Sequence, residues 1–177
     1  MKEKSNLLDT AEIRLIDKYG NVKSKHKIPS SFLDKLLIKL GLKHNTIVNV
    51  GMAQVAGLIL TDISGTAFDF VAIGSGTTAA AAANTALEFP LGARQAGTGT
   101  RTTTTVTDDT AQLVATFSHA IDNTLTGTNA ITEVGMFTAA TAGVMLLRIV
   151  YTPADSCNWD AGDTLEVTIK VQVKQGT

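Results

Sequence analysis

The clearest hydrophobic pattern in the chain lies near its C-terminus, where apolar and polar residues alternate over residues 163–173. The apolar positions share one parity: Leu165, Val167, Ile169, Val171 and Val173. A period of two is typical of a β-strand with one buried face. Two further β-rich runs, 131–137 and 144–151, precede it and are separated by the short loop 138–143. We expect these three runs to form an antiparallel meander, with a polar connection over residues 153–162.

The N-terminal region predicts a β-hairpin over residues 11–28. Ile13 and Leu15 alternate with polar residues before the turn-forming stretch 17–21. In the returning strand, Lys23, Lys25 and Lys27 project to one face. Such a row either protects a solvated sheet edge or forms a docking surface for an acidic neighbour. Both interpretations predict exposed lysines.

A short amphipathic helix is predicted next, because Ser31 can cap it and Gly41 can end it. Its apolar side includes Phe32, Leu36 and Leu40, and a second side carries Lys35 and Lys39. We expect this helix to pack on its own sheet or on a neighbouring subunit.

The middle of the chain is less regular. Residues 45–62 are apolar and rich in small residues, and periodicity does not distinguish helix from strand, although 53–58 favours a short helix. Residues 68–73 predict a strand. The threonine-rich run 100–106 predicts one strand of a hairpin, with its corner at 108–110.

Charge divides the chain into two regions. Residues 1–43 contain ten Lys and Arg against five Asp and Glu, whereas the remainder contains five against eleven. We therefore predict a basic N-terminal arm (1–43, hairpin plus amphipathic helix) and an antiparallel β body (44–177). Aromatic residues make up only 5% of the 177 residues, a composition that favours strands and turns over a helical bundle. The predicted fold is mainly β: an antiparallel, jelly-roll-like β-sandwich with an N-terminal β-hairpin and one or two short helices.

Composition also argues against several classes of protein. The longest apolar stretch, 48–60, is too short to cross a bilayer, and the basic start is not followed by a signal-peptide core. A single cysteine, Cys157, fits synthesis in a reducing cytosol. The net charge of −1 and the scarcity of Arg and aromatic residues in the basic region argue against nucleic-acid binding. We expect neither nucleic acid nor membrane as a partner.

One motif resembles a cofactor-binding site. Residues 74–79 match Gly-x-Gly-x-x-Ala directly after a predicted strand. A dinucleotide site also needs a βαβ unit and an acidic residue about 20 positions further on. The chain instead continues into residues 95–105, which are rich in Gly and Thr, with no βαβ repeat. We therefore interpret the motif as a glycine turn leading to a surface loop or a short alanine-rich helix, and we predict no cofactor.

The other candidate chemical groups lack partners at a recognisable spacing. His26, His44 and His119 are far apart and show no zinc-binding pattern, and Asp108 and Asp109 are adjacent, so their side chains should point apart. Asp155, Asp160 and Asp163 do not match a calcium loop. Cys157 is more simply an inert thiol than a nucleophile. We predict no catalytic residue and no metal site.

Several motifs together resemble a family of small structural proteins of tailed bacteriophages. They comprise the hairpin turn 17–22, the strand end around Ile73 and Gly74, the Glu-x-Gly-hydrophobic-Phe strand at 133–137 and the final Gly-Asp-x-Leu-x-Val strand at 162–167. The resemblance spans roughly residues 11–173 and is carried by the order of the motifs. It implies a virion component on the tail, the neck or the capsid exterior, made in the host bacterial cytoplasm. It implies no enzymatic activity.

The expected function is therefore structural, with other virion proteins and copies of the chain itself as partners. A virion component must make repeated contacts, and the basic arm could pair with the acidic body of a neighbouring homo-oligomer subunit. Within the arm, the candidate assembly residues are Lys23, Lys25, Lys27, Phe32, Lys35, Leu36, Lys39 and Leu40. The alternative is a carbohydrate-binding β-sandwich module for host-surface attachment, with Tyr151 and Trp159 as its aromatic platforms.

Overall fold

A computed structural model of the chain describes residues 7–28, 44–59, 65–102 and 108–174. These residues form two antiparallel sheets of five strands each. The two sheets face each other across a common hydrophobic core. The predicted mainly-β antiparallel sandwich is confirmed.

The first sheet, here called sheet A, contains both termini of the described chain. Its strands are β1 (Leu7–Ile16), β2 (Val22–Ile28), β6 (Thr98–Thr102), β7 (Asp108–Ser118) and β10 (Thr164–Lys174). They lie in the order β2-β1-β10-β7-β6. The predicted hairpin is confirmed as β1 and β2, and β1 also pairs with β10 from Leu7↔Val173 to Ile16↔Thr164. Residues 7–28 are thus an integral part of the sheet.

The second sheet, sheet B, is built from the middle of the chain. Its strands are β3 (His44–Ile47), β4 (Phe70–Gly74), β5 (Pro90–Ala96), β8 (Thr128–Phe137) and β9 (Met145–Asn158). They lie in the order β3-β9-β8-β4-β5. Only Gly97 separates β5 from β6, so the chain passes from sheet B to sheet A at that corner.

The core between the sheets follows the period-two pattern. Ile13 and Leu15 of β1, Leu165 and Val167 of β10, and Phe117 of β7 point inward and are at most 3% exposed. From sheet B, strands β4, β8 and β9 contribute Val71, Ile73, Val134, Leu147 and Ile149. Sheet B also carries a smaller cluster that contains Val48, Ala72, Leu87, Phe137 and Met145. Sheet B therefore packs against apolar groups on both faces.

Three predictions of local structure were wrong. Strands β8 and β9 form the expected hairpin, but β10 lies in the other sheet, between β1 and β7, so the three runs are not a meander. Residues 153–158 continue β9 and pair with β8, because Asp155 and Cys157 alternate inward despite the polar composition of that segment. The corner expected at 108–110 is the start of β7, although the predicted β6–β7 pairing is present.

The apolar segment whose structure periodicity left open contains both kinds of element. Strand β3 ends at Ile47, and helix α1 (Asn49–Gly57) follows, so the preference for a helix at 53–58 is largely confirmed. The predicted amphipathic helix, with Phe32, Lys35, Leu36, Lys39 and Leu40, lies outside the described residues. A single 3₁₀ turn, Trp159–Ala161, precedes β10 in the described chain.

Candidate functional site

The glycine motif after β4 surrounds a carboxylate that belongs to the same chain. Glu133 of β8 is fully buried, and its Oε1 accepts hydrogen bonds from the backbone N–H groups of Gly76 at 3.0 Å and Phe89 at 2.9 Å. Its Oε2 accepts from the Glu88 N–H at 3.2 Å and from Arg148 Nε at 2.7 Å. A buried charge needs this number of donors, because it has lost its hydration.

Close approach to this carboxylate explains why glycine occupies two positions of the motif. A Cβ on Gly74 or on Gly76 would lie 2.6 Å from Glu133 Oε1. The interpretation of the motif as a glycine turn leading to a surface loop fits this geometry, since the fully described segment between Gly74 and Pro90 contains no helix. The anion that this glycine corner binds is the carboxylate of Glu133.

Arg148 extends the network to the surface. It is only 2% exposed, and besides Glu133 it donates to Glu88 Oε2 and Asn84 Oδ1, both at 3.3 Å. Hydrogen bonds from the hydroxyl and N–H of Thr78 to Glu88, together with the Arg148 charge, lower the pKa of Glu88. These contacts fasten the segment 75–89 to sheet B, and they engage both carboxylate oxygens of Glu133 and all three guanidinium nitrogens of Arg148.

A second buried carboxylate links the two sheets. Asp155 of β9 is 1% exposed and accepts hydrogen bonds from the Ser24 hydroxyl and, at 3.1 Å, from the Tyr151 hydroxyl. The ring nitrogen Nε2 of His26 lies 3.2 Å from the same carboxylate. Burial and the neighbouring carboxylate raise the pKa of Tyr151 well above its ordinary value.

This cluster contains Ser, His and Asp, but its geometry differs from that of a nucleophilic triad. In a triad, the histidine lies between the serine and the aspartate. Here, Ser24 and His26 both contact Asp155 directly. The arrangement connects β2 of sheet A with β9 of sheet B. Sequence patterns did not reveal it, because the polar composition around Asp155 predicts a loop.

The lysine row of β2 is exposed as predicted, and its acidic partners in the structure come from this chain. Lys23 Nζ lies 2.6 Å from buried Asp163, which also accepts from the Asn158 N–H. Lys25 and Lys27 lie 2.9 Å and 3.9 Å from Glu12 on the neighbouring strand β1. The hydrogen bond from Lys25 is the main cause that lowers the pKa of Glu12. The other candidate assembly residues, Phe32, Lys35, Leu36, Lys39 and Leu40, lie outside the described residues.

An uncharged apolar surface surrounds helix α1. Residues 49–59 contain no Asp, Glu, Lys, Arg or His. The helix contacts β9 through its buried Gly51 side and packs half-buried Val55 against the core, whereas four other apolar side chains of residues 49–59 are largely exposed. These side chains define the α1 surface: Val50 (39% exposed), Met52 (38%), Leu58 (46%) and Ile59 (79%).

The two aromatic residues expected as sugar platforms are buried. Tyr151 is 6% exposed and Trp159 is 1% exposed, with Trp159 Nε1 donating to Asn129 Oδ1 at 2.7 Å. Neither ring offers an exposed face for stacking. Cys157 is also buried, and desolvation is the main cause that raises the pKa of its thiol to about 12. The prediction of an inert thiol agrees with this environment.

Metal-ligating side chains are scattered over the described part of the molecule. No group of three or more His, Cys, Asp or Glu side chains among the described residues is placed to hold a metal ion. None of the helices formed by these residues is long and apolar enough to span a membrane.

Comparison with known proteins gave no match among protein-family models, curated proteins or solved structures.

Proposed function

We propose that this protein is a non-enzymatic structural component of a tailed-phage virion, on the tail, the neck or the capsid exterior, and that it assembles through contacts between subunits. The α1 surface is the observation that carries the assembly part of the proposal. The ordered resemblance of motifs over residues 11–173 supports the virion part.

Several features make the α1 surface suitable for assembly. Its four apolar side chains are contributed by a short stretch of chain, and no charged residue interrupts that stretch. Exposed apolar patches of this kind mark protein–protein contacts, because burying them removes apolar area from water at about 25 cal/mol per Å². Gln54, in the middle of α1, is held by a hydrogen bond from its Nε2 to the Thr66 carbonyl at 3.0 Å.

The buried polar groups are consistent with a structural role. The Glu133 and Asp155 carboxylates are each occupied by three or more hydrogen-bond partners from their own chain. In both clusters these partners join separate elements of the sandwich. Such networks stabilise a particular arrangement of strands, which a repeatedly docking subunit requires.

Charged substitutions on the α1 surface test the proposal. We expect the double substitution Met52→Glu and Ile59→Glu to shift the protein to a smaller species than the wild-type oligomer in sedimentation velocity, because each carboxylate would have to be desolvated in the contact. The matched control is the double substitution Tyr19→Glu and Ile121→Glu, which places the same two charges on residues that are 78% and 54% exposed in the β1–β2 and β7–β8 connections. An unchanged oligomer in the α1 double variant would contradict the assignment of this surface.

The virion assignment has a separate test. Quantitative mass spectrometry of density-purified particles should find the protein at a fixed copy number relative to the major capsid protein. Its absence from washed particles would contradict the virion assignment, whatever the oligomeric state of the isolated protein.

A further inference from the structure

The outermost strands of the two sheets differ in how they are protected against pairing. Strand β2 carries Lys23, Lys25 and Lys27, and β3 has only four residues. Strand β5 begins at Pro90 and pairs irregularly with β4. Lysines, proline, irregular pairing and short length are recognised protections of a sheet edge. Strand β6, Thr-Gly-Thr-Arg-Thr, is also short and carries Arg101, but it has neither lysine nor proline and pairs with β7 without a register shift.

Strand β6 is also unusual in its exposure. All five of its residues are exposed, although successive side chains point to opposite faces of the sheet. It pairs only with β7, from Thr98↔Val114 to Thr102↔Thr110, and forms the end of sheet A in the described chain. Its outer row of backbone N–H and C=O groups therefore has no strand partner among the described residues. A strand in this position is suited to adding another strand.

We propose that β6 pairs with β6 of a second copy of this chain, antiparallel and across a two-fold axis at Thr100. In this register, Thr98 lies opposite Thr102 of the second copy, and Gly99 lies opposite Arg101. Sheet A then continues from one copy into the other. The pairing forms about four to six backbone hydrogen bonds, depending on which residues direct their polar groups outward.

Charge and side-chain pairing favour this register and a second copy as the occupant. Arg101 is the one charged residue of β6, and centring the axis on Thr100 places it opposite a glycine. Centring the axis on Arg101 would place two like charges directly opposite each other, which is destabilising. The remaining opposed pairs are all Thr with Thr, and such pairs stabilise antiparallel strands. The sequence of β6 is therefore complementary to itself.

Isologous pairing of this kind gives closed two-fold assemblies. The β6 pairing extends the proposed assembly function. It rests on that function only in that copies of the chain must associate. It involves a different element from the α1 surface, so the two contacts can be tested separately.

Cysteine cross-linking tests both the partner and the register. In the proposed pairing, the two Thr100 Cα atoms lie about 4.5–5.5 Å apart, within the range that a disulfide can bridge. Two Thr98 residues would be separated by about four positions along the strands, roughly 13 Å. The one native cysteine, Cys157, is buried with a pKa raised to about 12, so it should contribute little background.

We expect Thr100→Cys to form a disulfide-linked dimer under mild oxidation, and Thr98→Cys, which is also exposed, to stay largely monomeric on non-reducing gels. The double variant Thr98→Cys with Thr102→Cys should cross-link again, because those positions oppose each other. Circular dichroism checks that the variants remain folded. Equal cross-linking of Thr100→Cys and Thr98→Cys, or no cross-linking of Thr100→Cys, would overturn the proposal.

These outcomes are separable from the test of the α1 surface. If Thr100→Cys fails to cross-link while the α1 double substitution still dissociates an oligomer, the β6 pairing is wrong and the assembly function stands. If the wild-type protein is monomeric and Thr100→Cys does not cross-link, self-assembly through either contact is wrong, and the particle measurement decides the virion assignment separately.

Discussion

The two sheets of the sandwich use charge in opposite ways. On sheet A, Arg14 and Glu166 form an ion pair at 3.0 Å on the outer face, with side chains 37% and 29% exposed. In sheet B, Glu133 and Arg148 form a pair at 2.7 Å with side chains that are 0% and 2% exposed. Sheet A therefore has one solvated face, whereas the segment 75–89 covers part of the outer face of sheet B.

The two ion pairs contribute differently to stability because their exposure to water differs. A half-exposed pair gains little, because water and salt screen it. A buried pair has lost its hydration, and removing one partner leaves the other charge without compensation. The same residue types thus form a weak, solvent-screened pair on the surface of sheet A, whereas in sheet B they hold the segment 75–89 in place.

Neutralising the acid of each ion pair should affect stability very differently in the two sheets. We expect Glu133→Gln to lower the free energy of unfolding by up to about 3–5 kcal/mol, because buried Arg148 loses its carboxylate partner at 2.7 Å and keeps the longer ion pair with Glu88 at 3.3 Å. The matched substitution Glu166→Gln should cost about 0–1 kcal/mol. Urea denaturation followed by circular dichroism measures both values. Similar losses of unfolding free energy in the two variants would contradict the claim that burial makes the Glu133–Arg148 pair more important for stability than the Arg14–Glu166 pair.

A smaller effect is expected from filling the space beside the buried carboxylate. In Gly76→Ala, the new Cβ would lie 2.6 Å from both Glu133 Oε1 and Glu88 Cβ, so the loop must shift. We expect a loss of about 1–3 kcal/mol in the free energy of unfolding. Gly99→Ala on β6 is the control, because a Cβ added there would have no atom of its own chain within 4 Å beyond the adjacent residues. A Gly76→Ala protein as stable as the control would contradict the close packing at the glycine corner.

Alkaline pH should destabilise the protein through the buried thiol of Cys157 in sheet B. The Cys157 pKa is raised to about 12 in the folded protein, whereas an unfolded thiol titrates near 8.5. The unfolded chain therefore loses the thiol proton first. The contribution of Cys157 to the free energy of unfolding is constant below about pH 8 and falls as pH rises towards 12, by at most about 1.4 kcal/mol per pH unit. Denaturation series at pH 7–10 should show a shallower decline for Cys157→Ala. An identical decline in the two proteins would assign the pH dependence to other groups.

Local alternation made much of sheet A predictable. The polar and apolar positions of β10 and of the β1–β2 hairpin follow a period of two because one face of sheet A is solvated. Their pairing with each other was not predictable, because β1 and β10 lie at opposite ends of the chain and neither sequence specifies its neighbour. The lysine row on β2 was placed correctly, but its partners Glu12 and Asp163 emerged only from the strand register.

Sheet B was harder to predict because it is covered on both faces. The run 131–137 does not alternate between apolar and polar positions as a strand with one solvated face does, so periodicity could not reveal which side chains face the segment 75–89. A signal was nevertheless present: Glu133 and Arg148 are charged residues within apolar strands of one predicted hairpin. Charges in such positions are buried only when paired. The glycine motif at 74–79 could not be connected with them, since that contact depends on the fold.

The α1 surface was only partly predictable, for a different reason. Its lack of charge was visible in the sequence, but its exposure depends on how little of the helix β9 covers. The candidate assembly residues chosen from the sequence were instead the lysines of the arm and the apolar side of its predicted helix, Phe32, Leu36 and Leu40. Of these, the described lysines of β2 pair with acids of their own chain.

Sedimentation velocity of the unmodified chain over a range of concentrations tests directly whether the protein self-assembles. A subunit that assembles through exposed contacts should sediment as a species heavier than the 18.6 kDa monomer, with a proportion that rises with concentration. A single 18.6 kDa species at every concentration would contradict self-assembly.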